Sequence, residues 1–268
     1  MENYSEVVYL SGRPFSVKFA RTPEELAKNM AFRATHFHLS ASDDEQQQRA
    51  PVSVEDEYDA LADHLMVTDL STQQVVGSYR LLNAEQAAAG NGYYSETEFD
   101  LTPIKQTGRS LLEVGRACID ASYINYNIIA LLWRGIANYC KHHDVDYLCG
   151  CASLPVENPS LSSLIYHFAA TESLLVAADM LVKPIASHVD HDFDWCPRDM
   201  NSTKMRAQIP PLMRGYFSLN CKLASLPAYD PIFNVKDFLF LLDFREQVSQ
   251  RRISRFVTLG KCETSVAC

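Results

Sequence analysis

The stretch from residue 111 to residue 154 constrains the fold of this chain more than any other part of the sequence. Two short apolar segments, 111–118 and 145–154, flank a run with apolar residues at positions 128, 129, 132, 133, 136 and 140. The spacing inside the run is helical, whereas short apolar flanks are typical of buried strands. A strand, a helix and a second strand in this order predict a parallel crossover within one sheet.

The segments on either side of this crossover predict further strands and helices. They are expected at 21–38 (helix, with Thr22 as its cap), 64–69 and 75–82 (hairpin strands), 160–181 and 210–227 (helices) and 237–244 (strand). This order predicts an α/β (α+β) fold in which helices cover both faces of a central mixed, bulged β-sheet.

Composition and charge narrow the class of protein. The 268 residues are 47% hydrophobic and 21% charged, which suits a globular domain with a sizeable core. A net charge of −9 gives no overall reason to expect a nucleic acid as partner. The first residues do not resemble a signal peptide, the apolar runs are short, and the eight cysteines follow no disulfide framework. We therefore expect a cytoplasmic protein with reduced thiols.

Glu113, Gly115 and Arg116 interrupt the apolar strand 111–118. A charged side chain inside a strand costs free energy unless it has a partner or a chemical task. Gly115 permits a β-bulge, which re-aims side chains and releases backbone N–H groups. The N–H groups of Gly115 and Arg116 are then candidate donors to an oxyanion. The plainer alternative is that Glu113 and Arg116 form a buried structural ion pair.

Other charged residues reach the same part of the sheet if the hairpin lies beside the interrupted strand. Asp56 and Asp59 stand three residues apart just before the hairpin, and Arg80 ends its return strand. Arg33 and Phe37 are one turn apart and share a face of the first helix. The alternatives are a solvated acidic loop for the aspartates, a sheet-edge cap for Arg80 and a surface position for Arg33.

Several sequence blocks, taken together and in order, resemble a known enzyme family. They are Arg33-xxx-Phe37, Asp56-xx-Asp59, GSYRLL, LLEVGRACIDASY, YYSETEFDL, LLWRGIANY, GCASL, PPLMRGYF and PAYDPIFNVKDFLFLLD. The chain resembles the acyl-homoserine lactone synthases and, more closely, the related ornithine lipid synthases, which are acyl-carrier-protein-dependent N-acyltransferases of the GNAT superfamily. The resemblance covers most of residues 25–244. It agrees with a single domain over 1–244. The polar composition of 39–56, which includes one proline, predicts a mobile loop, and the polar, basic residues that follow predict a flexible tail over 245–268.

The resemblance implies a reaction and a set of site residues. A fatty acyl group, expected to be 3-hydroxylated, would pass from acyl carrier protein to the amino group of an amino acid such as ornithine, as the first step of aminolipid synthesis. Glu113 and Arg116 match the catalytic positions. Substrate contacts are expected from Arg33, Phe37, Asp56, Asp59, Arg80 and Trp133. No cofactor is implied, because the carrier itself bears the phosphopantetheine.

Two departures and two alternatives accompany this hypothesis. The chain has Tyr123-Ile124 where the family usually reads Tyr-Arg, and it lacks the loop of coenzyme-A-using GNAT enzymes, which weakens an acetyl-coenzyme A interpretation. The alternatives are a lactone synthase that uses S-adenosylmethionine and a non-catalytic relative that binds the carrier. Acyl carrier protein is acidic, so it is expected on a basic patch formed by Lys204, Arg206, Arg214 and Lys222. A lipid product also suggests peripheral contact with the inner face of the membrane through the basic tail.

The histidines give weaker signals. His64 is a secondary candidate for a base, although it could instead anchor the hairpin through hydrogen bonds. The segment 188–194 gathers two histidines and three aspartates, but its spacing matches no defined metal motif. We interpret it as an exposed polar loop and predict no metal.

Overall fold

A computed structural model describes residues 4–36, 55–156, 159–194 and 202–258. Within these ranges the chain forms nine strands and eight α-helices. The strands are β1 (Ser5–Leu10), β2 (Arg13–Phe19), β3 (Asp63–Asp69), β4 (Gln74–Asn83), β5 (Leu111–Ile119), β6 (Tyr147–Pro155), β7 (Lys222–Leu223), β8 (Ala228–Asp230) and β9 (Val235–Asp243). The helices are α1 (Pro23–His36), α2 (Ala84–Ala89), α3 (Thr102–Lys105), α4 (Ile128–His142), α5 (Pro159–Thr171), α6 (Ser202–Gln208), α7 (Pro211–Ser218) and α8 (Gln247–Thr258).

All nine strands belong to one mixed sheet with the order β1-β2-β3-β4-β5-β6-β9, and β7 and β8 share the outer edge of β9. The β5–β6 pair is parallel, and the other pairs are antiparallel. Helix α4 connects the two parallel strands. The predicted crossover and the predicted hairpin β3–β4 are thus confirmed.

The two faces of the sheet carry separate apolar cores. On β9, Phe240 and Leu242 pack into the core beneath α4, α5 and α7, whereas Leu239 and Leu241 pack into the core beneath α2 and α3. This alternation is the period of two that a doubly covered strand requires. The prediction of helices on both faces is confirmed.

Local capping signals place the start of α1 as the sequence predicts. Thr22 Oγ1 accepts a hydrogen bond from the Glu25 N–H at 3.2 Å, and Glu25 Oε2 accepts one from the Thr22 N–H at 3.3 Å. This reciprocal pair satisfies two N–H groups that have no partner inside the helix.

Three segments differ from the predictions. The hairpin β1–β2 was not expected, although its turn residues Ser11 and Gly12, both at positive φ, are a typical hairpin signal. The predicted helix over 160–181 ends at Thr171. The predicted helix over 210–227 ends at Ser218, because the chain then forms β7 and β8 against the otherwise open edge of β9.

The C-terminal segment is a correction to the predicted flexible tail. Residues 247–258 form α8, whose Ile253 is buried and whose Phe256 and Val257 pack against the core beneath α4. Their spacing of three and four residues is that of one helix face, so burial of this face orders the segment. Residues 259–268, and residues 39–54 of the predicted loop, lie outside the described ranges. No described helix has both the length and the apolar character needed to cross a membrane.

Candidate active site

Strand β5 is bulged next to the predicted catalytic residues. Between the pairs Ser78↔Cys118 and Arg80↔Gly115, β5 contains one residue more than β4. Arg116 lies in the extra turn of backbone with φ of 52°. The predicted bulge is therefore present, and its left-handed residue is the one that follows Gly115. This backbone conformation costs free energy in a non-glycine residue, so it persists only where surrounding interactions hold it, as they often do at functional sites.

A cavity opens where β5 and β6 separate. Their parallel pairing ends at Glu113↔Cys149. A side chain at Gly150 would collide with the Val114 carbonyl oxygen, so a glycine permits the close approach of the strands at this point. Beyond it lies a cavity of about 270 Å³. Its wall includes Arg80, Tyr94, Glu98, Glu113, Gly115, Arg116, Cys151, Ser153, Leu212, Tyr216, Asp230, Phe233 and Asp237.

Five charged residues predicted from the sequence form one continuous ionic network beside this cavity. Arg33 binds Asp59 in a bidentate geometry, with Nη1–Oδ1 and Nη2–Oδ2 distances of 2.6 and 3.2 Å. Arg80 Nη1 lies 2.5 Å from Asp56 Oδ1 and 3.3 Å from Asp59 Oδ1. Arg116 Nη2 lies 2.7 Å from Asp56 Oδ2. The network joins α1, the turn before β3, β4 and the bulge of β5.

The two aspartates also shape the backbone. Asp56 Oδ1 accepts the Tyr58 N–H and Asp59 Oδ2 accepts the Asp56 N–H, which forms a capping box for the 3₁₀ turn Glu57–Ala60. Burial by itself would raise the pKa of the Asp59 carboxyl, but the Arg33 guanidinium holds this pKa below its ordinary value. Arg33 is fully buried. The three residues Arg33, Asp56 and Asp59 stand behind the cavity wall and orient Arg80 and Arg116, which form part of it.

Glu113 lies buried in the cavity wall and holds a turn of the chain in place. Its Oε2 accepts the Tyr94 N–H and its Oε1 accepts the Ser95 N–H, both at 2.8 Å, and Oε1 also accepts the Ser95 hydroxyl. Burial raises the pKa of Glu113, and the bonds from Ser95 oppose part of that rise. The carboxylate therefore bonds to the 3₁₀ turn Tyr94–Thr97, whereas Arg116 pairs with Asp56. The alternative of an ion pair between Glu113 and Arg116 is not what the structure shows.

Tyr94 connects the charged groups through its ring. The Arg116 guanidinium carbon lies 4.7 Å from the ring centroid and the Arg80 carbon lies 5.5 Å from it. Both distances suit cation–π attraction. Because Glu113 anchors the Tyr94 backbone, it also fixes the platform on which both arginines rest.

Three buried carboxylates that no sequence pattern predicted form a cluster in the cavity wall. Glu98, Asp230 and Asp237 are 2%, 4% and 3% exposed, and their oxygens lie within 4.8 Å of one another. Burial and the two aspartates hold the pKa of Glu98 well above its ordinary value. Burial also raises the pKa of Asp237 to about 7. The signal that could have found Asp237 is the one that singled out Glu113, namely an acid inside an apolar strand.

Sheet register explains how this cluster, which we call the carboxylate triad, assembles. Asp237 lies opposite Ser153 on one side and Ala228 on the other, so the three share a face of the sheet. Asp230 is two residues beyond Ala228 and therefore on the same face. Glu98 comes from the segment after the 3₁₀ turn Tyr94–Thr97. Three carboxylates of this kind could hold a hard cation or an ammonium group.

The other predicted residues lie apart from the cavity or outside the described ranges. His64 is buried with Nε2 2.9 Å from the Asp59 carbonyl oxygen, and burial lowers its pKa, so it anchors the hairpin. Trp133 lines a separate apolar cavity of about 20 Å³ on the α4 side of the sheet. Phe37 lies outside the described residues. In the segment 188–194, Asp190 forms an ion pair with Lys236 at 2.7 Å.

Comparisons with known sequences indicate an acyltransferase, and a comparison with solved structures shows the fold. An acetyltransferase (GNAT) domain model matches residues 32–134. An L-ornithine N(alpha)-acyltransferase from Agrobacterium fabrum is 34% identical over 70% of this chain and 66% of its own length. One from Brucella abortus is 32% identical over 75% of this chain and 73% of its own length. The structure of FeeM, an N-acyl amino acid synthase from uncultured soil microbes, aligns with a TM-score of 0.51 at 12% identity over 87% of this chain and 92% of its own, which shows a common fold.

Proposed function

The chain belongs to the L-ornithine N(alpha)-acyltransferase family, and from this premise we propose that it transfers a fatty acyl group from acyl carrier protein to the α-amino group of ornithine. The main support for this proposal is the cavity where β5 and β6 separate. Its wall contains the buried carboxylate of Glu113, the guanidinium groups of Arg80 and Arg116, and the bulge of β5. Acyl transfer to an amine needs all three kinds of group. The carboxylate removes a proton from the amine, the guanidinium groups bind the acceptor, and the backbone N–H groups of the bulge stabilise an oxyanion.

The arginines of the cavity wall are the partners for the acceptor's carboxylate. Guanidinium presents five N–H donors in a planar fork, so one group binds two carboxylates at once. Arg80 and Arg116 are held toward the cavity by Asp56 and by the Tyr94 ring. Their positions are set before substrate arrives, which lowers the entropy cost of binding.

Glu113 is the proposed proton acceptor. The α-ammonium of an amino acid must lose a proton before it attacks a thioester. Burial raises the pKa of Glu113, which brings its basicity closer to that task. Its Oε2 accepts one hydrogen bond from the protein, from Tyr94, and a carboxylate oxygen has a second lone pair for the proton of the amine or of a bridging water.

The bulge of β5 is the proposed oxyanion site. The freed amine forms a bond to the thioester carbonyl carbon, and the carbonyl oxygen becomes an oxyanion before the thiol leaves. A side chain built on Gly115 would meet nothing within 4 Å, so the backbone there is open to a ligand. We assign the N–H groups at Gly115 and Arg116 to the oxyanion, because β5 no longer pairs with β6 beyond Glu113.

The acyl chain is expected on the opposite face of the sheet. Val114 and Tyr216 line both the site cavity and the apolar cavity that contains Trp133, so the two volumes adjoin. The apolar cavity of about 20 Å³ is too small for a fatty acyl chain. Acyl binding therefore requires side chains such as Trp133 to move.

Helices α6 and α7 are the proposed docking site for the carrier. Leu212 on α7 lines the site cavity, and Arg214 follows it on the same helix. Lys204 and Arg206 are exposed on α6, and Lys222 begins β7. A basic surface beside the cavity mouth would place an acidic carrier so that its pantetheine reaches the site. Contact with anionic lipid is proposed for a different surface, on α8, where Arg251 and Arg255 are exposed.

The proposal is tested with purified protein, a 3-hydroxyacyl carrier protein and L-ornithine, with products identified by mass spectrometry. The expected products are Nα-acyl-ornithine and the free-thiol carrier. Replacing the carrier by acyl-coenzyme A should reduce the rate, because the docking surface then has no partner. Expression in a bacterium without aminolipids should also produce the lyso-lipid. Release of a lactone from S-adenosylmethionine, or binding of the carrier without transfer to any amino acid, would refute the proposal.

A further inference from the structure

The carboxylate triad gives the site cavity more acidic groups than its arginines could offset if all of those groups were ionised. The cavity wall contains Glu98, Asp230 and Asp237 in addition to Glu113, against Arg80 and Arg116. Both arginines are already paired with Asp56, behind the wall. Ionising neighbouring buried acids is unfavourable unless a cation lies among them, so an acidic cluster in a cavity wall points to a cation that binds there.

The hydrogen bonds of the triad leave acceptors directed at the cavity. Asp230 Oδ1 accepts the N–H groups of Ile232 and Phe233, and Asp237 Oδ1 accepts the Ser153 hydroxyl at 2.6 Å. Glu98 Oε2 is buried and has no hydrogen-bond partner in the described structure. A buried carboxyl oxygen without a partner, in a residue that lines a cavity, indicates that a hydrogen-bonding group is missing there.

The number and charge of the acceptors favour an ammonium group. An –NH₃⁺ has three N–H donors, which matches one oxygen from each carboxylate. The positive charge of Arg116 reaches Asp237 and would repel a divalent ion more strongly than a monovalent one. The triad therefore suits an organic monocation better than a metal ion.

We propose that Glu98, Asp230 and Asp237 bind the side-chain ammonium of the acceptor amino acid, so that the cavity selects diamino acids. This inference rests on the proposed function, and it adds the residues that bind the acceptor's side chain. The α-amine is excluded from the triad, because three carboxylates stabilise the protonated amine and the nucleophile must be unprotonated. The side-chain amine stays charged throughout the reaction and has no such conflict.

The test compares L-ornithine with L-norvaline, which has the same carbon chain without the second amine. Isothermal titration calorimetry on the full-length protein without acyl donor should show binding of ornithine about 100-fold tighter than of norvaline. In Asp237→Asn and Glu98→Gln, ornithine binding should weaken by about 10-fold or more while norvaline binding is unchanged. Cys151→Ala is the matched control, because Cys151 lines the same cavity without charge.

Folding of the variants is monitored by thermal denaturation. Both substitutions relieve repulsion between buried carboxylates, so the midpoint in the absence of ligand should equal or exceed that of the wild type. Ornithine should raise the midpoint of the wild type and leave that of Asp237→Asn nearly unchanged. A site built only for structure would instead lose stability on substitution.

Several results would overturn the inference. They are equal binding of the two amino acids by the wild type, unchanged ornithine binding in both variants, and one-to-one binding of Mg²⁺ or Ca²⁺ that the triad variants lose while ornithine binding persists. Failure of the proposed function is a separate result. A protein that binds ornithine selectively through the triad but transfers no acyl group supports this inference and refutes that function.

Discussion

Arg116 Nη2 donates to Asp56 Oδ2 at 2.7 Å, and this contact ties the bulge of β5 to the turn that precedes β3. Arg116 holds a left-handed backbone conformation, which neighbouring interactions must stabilise. The ion pair and the Tyr94 ring supply two such interactions. The shape of the cavity wall therefore depends on a residue that is outside the cavity.

Asp56→Ala should damage both stability and catalysis. The substitution removes a partner from Arg80 and Arg116, whose side chains are 3% and 8% exposed, and should lower the free energy of unfolding by about 3 kcal/mol. The loosened arginines should also raise KM for the amino acid by about 10-fold. Urea denaturation and steady-state kinetics measure the two effects. Glu24→Ala, which removes an exposed ion pair with Lys28, is the control and should change neither quantity.

Glu113→Gln should act mainly on turnover. If Glu113 accepts the proton, kcat should fall by about 10²- to 10⁴-fold while KM for ornithine stays within a few-fold. The amide also puts an NH₂ group against the N–H of Tyr94 or Ser95, so the free energy of unfolding should fall by about 1–3 kcal/mol. A folded variant that retains full kcat would rule out the proposed base.

Asp237 should make the stability of the free protein depend on pH. Its pKa is about 7 in the folded protein against an ordinary value of 3.8. Between these values the folded state binds more protons than the unfolded state, so the free energy of unfolding decreases as pH rises from about 4 to 7. The groups that face it are Ser153, Asp230, Arg116, Glu98, Tyr94 and Cys151.

Asp237→Asn should remove much of that decrease, leaving the part due to Glu98, whose pKa is also raised. Urea denaturation at pH 5 and pH 8 gives the comparison. The free energy of unfolding of the variant should increase relative to that of the wild type as pH increases from 5 to 8. Parallel behaviour of the two proteins would show that Asp237 is ionised at both pH values.

Reversing charge on α6 should weaken the use of the carrier specifically. Arg206→Glu should raise KM for the acyl carrier by about 10-fold, more at low salt, and should leave KM for ornithine unchanged. Arg206 is exposed, so the substitution should not affect folding. Arg255→Glu on α8 introduces the same charge change elsewhere. Equal effects of the two substitutions would argue against a docking site on α6 and α7.

Ile253→Ala should destabilise the protein if α8 belongs to the domain. The side chain is buried against the α4 side of the core, and its truncation should cost about 2–4 kcal/mol. Val248→Ala, on the exposed part of the same helix, should change the free energy of unfolding by less than about 1 kcal/mol. If Ile253→Ala has a negligible effect, α8 does not pack stably on the domain, and the predicted flexible tail is correct.

The amino-acid sequence by itself determined the elements whose energies are local. Thr22 caps α1 through groups three residues away, and Gly115 and Arg116 lie where the apolar pattern of β5 is interrupted. The ordered sequence blocks, through the family that they resemble, also predicted Arg80 and Glu113 for one site, and both line the same cavity. The cap and the interrupted strand depend on neighbours along the chain, so they are visible without knowledge of the fold.

Only the tertiary structure decided which charges meet and which acids are buried. β7 and β8 exist because β9 offers an unpaired edge, and that pairing carries Asp230 to the face occupied by Asp237. Glu98 reaches the same place from more than 100 residues away in sequence. Arg33 is buried because Asp59 lies against it. A charged side chain tolerates burial only with a partner nearby, and partners distant in sequence are found only when the chain has folded.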